Sequence, residues 1–354
     1  MKKIFMGLIL TSIMLSSSIL PSMSFAEEQK EEVKIESLKV ERITGKDRYQ
    51  TAVEISKQTF PEGAKYVAIA TGVDFVDGLV GGTLTSQEDS PLLLTRSNSI
   101  NQETLNEIER LKPETVFLFG GEAAISKSVE EEINKLEVKI ERISGKDRFQ
   151  TSERIGWRRT KLKYPAAEAQ GDRYHVVSAT VFADALSAAP FLGTASKMNI
   201  DSNPLILSEG IEINHMTPAR FVFGGLNAVP RVGEDKRFVG KTRYETAVEV
   251  AKAYKTELKV DIDTVVLVSG EDFPDGLASA SVATMNNGAV LLTNTASLNK
   301  ATKDFIVNNK NIKKVIIVGG EAAVSEAVEK ELKKIQVEVE DEVTEPTAET
   351  ETDQ

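Results

Sequence analysis

Apolar and polar positions alternate in two rhythms along this chain. In RYQTAVEISKQTF (48–60) the residues Tyr49, Ala52, Val53, Ile55 and Phe60 recur at helical spacing, which predicts an amphipathic helix. VAIAT (67–71) is a short β-branched run ending at a glycine and acid cluster and reads as a buried strand. The alternation continues with DGLVGGTLTSQ as a helix, PLLLT as a strand, NQETLNEIERL as a helix and TVFLFGG as a strand. SKSVEEEINKL then reads as a fourth helix with Ser126 as its N-cap, as Ser325 would be in the matching segment. VKIERI is a strand leading onward. Short apolar strands separated by helices predict a parallel sheet.

The same order of blocks occurs three times. RITGKDRYQTA (42–52) returns as RISGKDRFQTS (142–152) and RFVGKTRYETA (237–247). VAIATGVDFVDGL is matched by HVVSATVFADAL and VVLVSGEDFPDGL, PLLLT by PLILS and AVLLT, and VFLFGGEAAIS by FVFGGLNAVP and VIIVGGEAAVS. Self-similarity at this period marks a repeat architecture. We expect α/β modules at 38–137, 138–234 and 235–336, preceded by a charged linker (27–37) and followed by a tail (337–354).

The ends and the composition narrow the classes of function. MKK, an apolar run and PSMSFA describe a secretory signal peptide (1–26) cut after Ala26, with Ser24 and Ala26 at the small-residue positions. The tail holds eight acids and no lysine or arginine, and its composition predicts disorder. With a net charge of −11, the chain lacks the broad basic surface of a nucleic-acid binder. There is no cysteine, which excludes disulfides, thiolate metal sites and a cysteine nucleophile. Only His175 and His215 are available as histidines, neither has an equivalent in the other repeats, and no cofactor is implied. No lipobox cysteine or sorting motif is seen, so attachment to a surface would be non-covalent.

The G-K-x-R-[YF]-x-T phrase, the D-x-x-D-G-L block, the PLLLT block and the G-G-E-x-A-[IV]-S block, in triplicate over about residues 38–336, resemble the cell wall binding repeat 2 family. The resemblance implies three tandem Rossmann-like α/β modules with parallel sheets, packed as an intramolecular pseudo-trimer. It also implies a secreted, non-enzymatic surface protein of Gram-positive bacteria that binds an anionic secondary wall polymer. A modulator of a wall amidase, or an adhesin or surface-layer component, is the alternative, with a wall hydrolase or surface protein as possible partner.

Several residues are candidates for that chemistry. Lys46 and Arg48, Lys146 and Arg148, and Lys241 and Arg243 occupy equivalent places. A guanidinium can grip a phosphate or carboxylate at two points, which suits an anionic polymer. The same arginines could instead tie each helix start to a neighbouring carboxylate, Asp77, Asp184 or Asp275. Asp74 with Asp77 and Asp272 with Asp275 form acid pairs, but repeat 2 keeps only Asp184, so N-cap or strut competes with cation or acid–base chemistry. Gly120–Gly121, Gly224–Gly225 and Gly319–Gly320 close the third strands as tight turns; no dinucleotide or P-loop fingerprint accompanies them. Repeat 2 alone carries RIGWRRTKLKY (154–164), with Arg154, Arg158 and Lys161 on one helical face, Arg159 and Lys163 nearby, and Trp157 beside them. That cluster is either an anion patch with a stacking platform or a solvated face.

Overall fold

A computed structural model describes residues 34–74, 76–166, 173–209, 218–272 and 274–339. The expected signal peptide, His215 and most of the linker and tail lie outside the described residues. The chain begins with β1 (Lys34–Ser37) and β2 (Lys39–Ile43). Repeat 1 continues through α1 (Arg48–Thr59), β3 (Tyr66–Thr71), α2 (Val76–Gln87), β4 (Leu92–Thr95), α3 (Gln102–Leu111), β5 (Thr115–Phe119) and α4 (Lys127–Asn134). Repeat 2 supplies β6 (Lys139–Ile143), α5 (Arg148–Lys163), β7 (His175–Ser178), α6 (Phe182–Lys197), β8 (Leu205–Ser208) and β9 (Phe221–Phe223). Repeat 3 opens with β10 (Lys236–Phe238) and α7 (Arg243–Ala253), which runs into a π turn at Tyr254–Leu258, and then β11 (Thr264–Ser269). A 3-10 turn (Asp275–Ala278) leads into α8 (Ser279–Met285), followed by β12 (Gly288–Thr293), α9 (Lys300–Asn308), β13 (Lys314–Val318), α10 (Glu326–Leu332) and β14 (Gln336–Val339).

The first helix forms where the apolar spacing places it: Tyr49, Ala52, Val53, Ile55 and Phe60 are all buried. Each repeat builds a four-stranded parallel sheet, in the orders β4-β3-β5-β6, β8-β7-β9-β10 and β12-β11-β13-β2. The fourth strand of every sheet comes from the next repeat. For repeat 3 the next repeat is the first, so β2 pairs with β13, Val40 opposite Val315 and Ile43 opposite Val318. β1 and β14 form an antiparallel ribbon beside this closure. Residues 34–37 and 337–339, read from composition as linker and tail, are therefore strand: cross-strand backbone bonding outweighs their polar composition.

Three helices, α2, α6 and α8, pack against one another on the pseudo-threefold axis. There the backbone of Gly82 comes close enough that a Cβ on it would lie 3.1 Å from the Ala189 Cβ and 3.2 Å from the Ala280 Cβ. One apolar cluster runs through all three repeats from Leu38 to Ile335, and separate clusters fill the outer faces of repeats 1 and 2. Repeat 2 departs from its neighbours between β9 and β10, where no counterpart of α4 or α10 forms. Pro230 stands there in place of the serine that opens the helix in repeats 1 and 3, and the connection is too short for one.

Candidate functional site: three inter-repeat junctions

The repeated GK-x-R phrase is first a helix start. The Asp47 carboxylate accepts from Gln50 N (2.9 Å), the Gln50 side chain accepts from Lys46 N (3.0 Å), and Thr51 Oγ1 accepts from Gly45 N (3.1 Å). Asp147, Gln150 and Thr151 repeat these bonds at 2.8, 3.0 and 2.9 Å. Thr242, Glu245 and Thr246 repeat them at 3.3, 2.6 and 3.0 Å. One first-turn donor and the two backbone donors that precede the N-cap are thus satisfied within seven residues, a variant of the capping box. The ammonium groups of Lys46, Lys146 and Lys241 are left in solvent, with no partner among the described residues.

The arginines are more committed. Arg48 Nη1 donates to the Gly72 carbonyl (2.6 Å) and Arg243 Nη1 to the Gly270 carbonyl (2.5 Å), each at the end of its own repeat's first strand. Repeat 2 has Ala179 at that place. A Cβ on Gly72 would crowd the Tyr49 ring at 2.9 Å and Arg48 Cδ at 3.1 Å, which accounts for the displaced Arg148. Arg148 is 42% exposed and lies 3.6 Å from the Asp74 carboxylate. The buried carboxylate that each arginine faces belongs to the preceding repeat, not to its own: Arg148 acts on Asp77, Arg243 on Asp184 and Arg48 on Asp275. Thr51 also hydrogen-bonds Asp275 across the closing junction.

Asp77 and Asp275 are not the N-caps that their sequence position suggests. Asp77 lies in the first turn of α2 and Asp275 opens the 3-10 turn, each turned onto the glycine that ends its own repeat's third strand. A Cβ on Gly120, Gly224 or Gly319 would lie 2.6, 2.5 or 2.8 Å from the Oδ2 of Asp77, Asp184 or Asp275. These glycines hold φ of +110°, +112° and +112°, so both the turn and the contact exclude a side chain. Their companions Gly121, Gly225 and Gly320 have ordinary φ. Burial pushes the Asp77 and Asp184 carboxyls up to about 6, with Asp74 adding to the rise at Asp77, while Arg148 and Arg243 oppose it. Asp275 is raised in the same direction by burial and held back by Thr51 and Arg48. Of the expected serine caps, Ser126 accepts from Val129 N, whereas Ser325 makes no side-chain cap bond.

A second set of arginines, inside the same phrase but not singled out in the sequence, completes each junction. Arg42, Arg142 and Arg237 donate Nη1 to the carbonyls of Gly319, Gly120 and Gly224, at 2.8, 2.9 and 2.9 Å. Their other nitrogens bind Glu329, Glu130 and Glu234. Glu130 and Glu329 come from α4 and α10; in repeat 2, which lacks that helix, the loop residue Glu234 takes over. The arginine that opens each phrase, at 42, 142 and 237, was a sequence signal as regular as that at 48, 148 and 243.

The junctions leave concavities at the carboxyl ends of the strands. One of about 530 Å³ is lined by Gly225, Leu226, Arg231, Val239 and Lys241 among others; another, of about 160 Å³, by Arg48, Asp272, Asp275 and Ala322. The PLLL-type strands β4, β8 and β12 are buried throughout, Ala289 included, and reach no surface.

The basic cluster of repeat 2 divides in two. Arg154, Trp157, Arg158 and Lys161 line one surface groove. Arg159, expected beside them, points the other way and is fully buried, because a residue one step on falls on the inner helix face. Its Nε donates to the Gln87 side chain of repeat 1 (3.1 Å) and its Nη1 to the Asn203 carbonyl (3.1 Å), and burial lowers its pKa to about 10. His175 is also buried, 3.2 Å from Asp201, and burial lowers its pKa. Among the described residues no group of three metal-ligating side chains gathers, and no helix is long and apolar enough to cross a membrane.

Comparison with known proteins agrees with this architecture. The chain is 27% identical over 310 residues to the N-acetylmuramoyl-L-alanine amidase LytC of Bacillus subtilis, covering 83% of this chain and 58% of that one. It is 27% identical over 304 residues to the amidase enhancer of the same organism, covering 82% and 40%. It thus spans about half the length of these relatives. Among solved structures, Cwp8 from Clostridium difficile superposes with a TM-score of 0.68 at 25% identity, over 85% of this chain and 51% of that one. Cwp6 from the same organism gives 0.68 at 21%, over 81% and 46%, a likeness of fold. The model of cell wall binding domain 2 matches residues 42–130, 142–232 and 237–329, one match per repeat, and the chain belongs to this CWB2 family.

Proposed function

We propose that this chain is a secreted, non-catalytic protein that attaches non-covalently to the Gram-positive cell wall by binding an anionic wall polymer. The observation that carries this reading is the threefold recurrence of Lys46, Lys146 and Lys241, exposed and unpartnered among the described residues at the three helix starts, with Lys241 lining one of the concavities at the strand ends. Parallel α/β sheets bind ligands at their carboxyl ends. Arg148, half free, adds a fourth contact, whereas Arg48 and Arg243 act mainly as struts. The raised carboxyls have a structural cause in burial against the glycine turns, which favours attachment over acid–base catalysis. The N-terminal apolar run ending at Ala26 supports export.

Retention on purified walls, before and after chemical removal of the anionic secondary polymers, tests the proposal. We expect at least a tenfold loss on stripped walls, and the same loss for a Lys46→Gln, Lys146→Gln, Lys241→Gln variant that melts like the parent. Raising the salt should also weaken retention, since exposed cations are screened. Equal retention on stripped walls overturns it. Similarity to the amidase enhancer supports a second reading, modulation of a wall amidase, which adding the protein to an amidase assay would reveal.

A further inference from the structure

The three repeats supply an internal comparison for the outer face of their first helices. In repeat 1 that face carries Glu54 paired with Lys57 (3.1 Å), and in repeat 3 Glu249 paired with Lys252 (2.9 Å). These pairs neutralise themselves. At the equivalent positions α5 carries Arg154 and Trp157, so the acid is replaced by a base and the pairing is lost. The fold needs neither residue there, because two of its three modules do without them.

What replaces the pair is a groove of about 550 Å³ between α5 and the end of β6. Arg158 at its side is occupied, bonding both oxygens of Glu141 at 2.6 and 3.0 Å with its guanidinium over the Phe117 ring. Arg142 is likewise held by Glu130 and the Gly120 carbonyl. Arg154 and Lys161 are not. Arg154 is exposed and donates one N–H to the Ser144 carbonyl, leaving the rest of its fork open; Lys161 is exposed with no partner among the described residues. Half-buried Trp157, the only tryptophan of the chain, lies between them in sequence and lines the same groove. Seven helical residues separate the two cations, about 10 Å along the axis. Their long, flexible side chains can lean along the groove towards Trp157 and meet at one anionic substituent.

We propose that this groove is a binding subsite for an anionic sugar, in which Trp157 stacks on the apolar face of a pyranose ring while Arg154 and Lys161 hold its phosphate or carboxylate. A flat indole with adjoining cations matches a ring that is apolar on one face and charged at its substituent. The proposal deepens the wall-binding reading and rests on it only for where the ligand comes from.

Because Trp157 is the sole tryptophan, its fluorescence reports on this groove alone. The full chain is titrated with glucose 1-phosphate, glucuronate, methyl glucoside and inorganic phosphate at matched ionic strength. Saturable change with either anionic sugar, at least tenfold tighter than with the neutral sugar or bare phosphate, is expected, and which one wins separates phosphate from carboxylate. Arg154→Glu, the residue type of repeats 1 and 3, should weaken that binding at least tenfold without moving the melting temperature. Inorganic phosphate binding as tightly as the sugars, no saturable change with either sugar, or an unaffected Arg154→Glu variant overturns the proposal. These soluble probes need no wall, so wall retention that survives their failure leaves the attachment reading standing and removes only this subsite.

Discussion

At the scale of single residues, the junction is a contest between burial and charge at Asp77, Asp184 and Asp275. An aspartate held near pH 6 rather than 3.8, as Asp77 and Asp184 are, costs the folded state on the order of 2–3 kcal/mol at neutral pH. The sign follows from proton counting. Between the two values the folded state binds more protons than the unfolded one, so this contribution to stability falls as pH rises and the cost is complete above about 6. Asp184→Asn removes the ionisation and should therefore melt higher than the parent at pH 7.5, with the advantage closing as pH falls from 6 towards 4. Thermal melts of both proteins across that range check it. The difference between variants is the measurement, because buried His175, with its lowered pKa, destabilises both proteins as pH drops below 6.5. A constant difference at all pH values would mean that the carboxyl is not held neutral by its site. The triplet of aspartates was legible in the sequence, but their partners were not. Spacing shows that Arg148 and Asp184 share a repeat; only the folded chain shows that Arg148 faces Asp77 instead. Arg159 was misplaced for a related reason: one residue of helix turns a side chain from solvent to core, and composition is blind to that.

At the scale of elements, the D-G-L block explains itself once α2, α6 and α8 are seen together. The aspartate sits on the glycine turn, and the next position faces the leucine of the preceding repeat: a Cβ on Gly78 would touch Leu277, and one on Gly276 would touch Leu186. Five residues after each aspartate come Gly82, Ala189 and Ala280, which meet at the axis. Small residues are required there because three helices converge at one point and interiors are already close-packed. Ala189→Leu should overpack the axis and cost about 1–3 kcal/mol, read as a lower urea midpoint with an unchanged slope. An unchanged midpoint would show that the axis has slack. Helix and strand order was readable because an outer helix such as α3 buries one face, Thr104, Ile108 and Leu111, while strands such as β4, and β3 from Val67 onward, are short continuous apolar runs buried throughout. The ribbon of β1 with β14 was not readable, since its polar composition resembles the segments flanking it and its bonding is made by backbone.

At the scale of the whole molecule, no repeat owns a complete sheet. In doubly wound sheets a ligand crevice opens at the switch point of strand order, here between β3 and β5 and their counterparts. In each repeat that crevice is engaged by the two arginines of the next, Arg142 and Arg148 on Gly120 and Asp77 in the first instance. The ring closes only when β2 reaches β13 and Arg42 reaches Gly319 and Glu329. A repeat array with independent modules unfolds piecemeal, whereas modules that complete one another must unfold together. Residues 34–339 should accordingly melt in a single transition whose calorimetric and van't Hoff enthalpies agree. Deleting residues 34–43 removes β1 and β2 and leaves the edge of β13 bare. An unpaired parallel edge invites another chain, so the shortened protein should melt lower and associate on size exclusion. A synthetic peptide of residues 34–47 should restore both the melting temperature and the parent's elution volume by adding the missing strand. A shortened protein that elutes and melts like the parent would show that the ring is closed elsewhere, by the central helices alone.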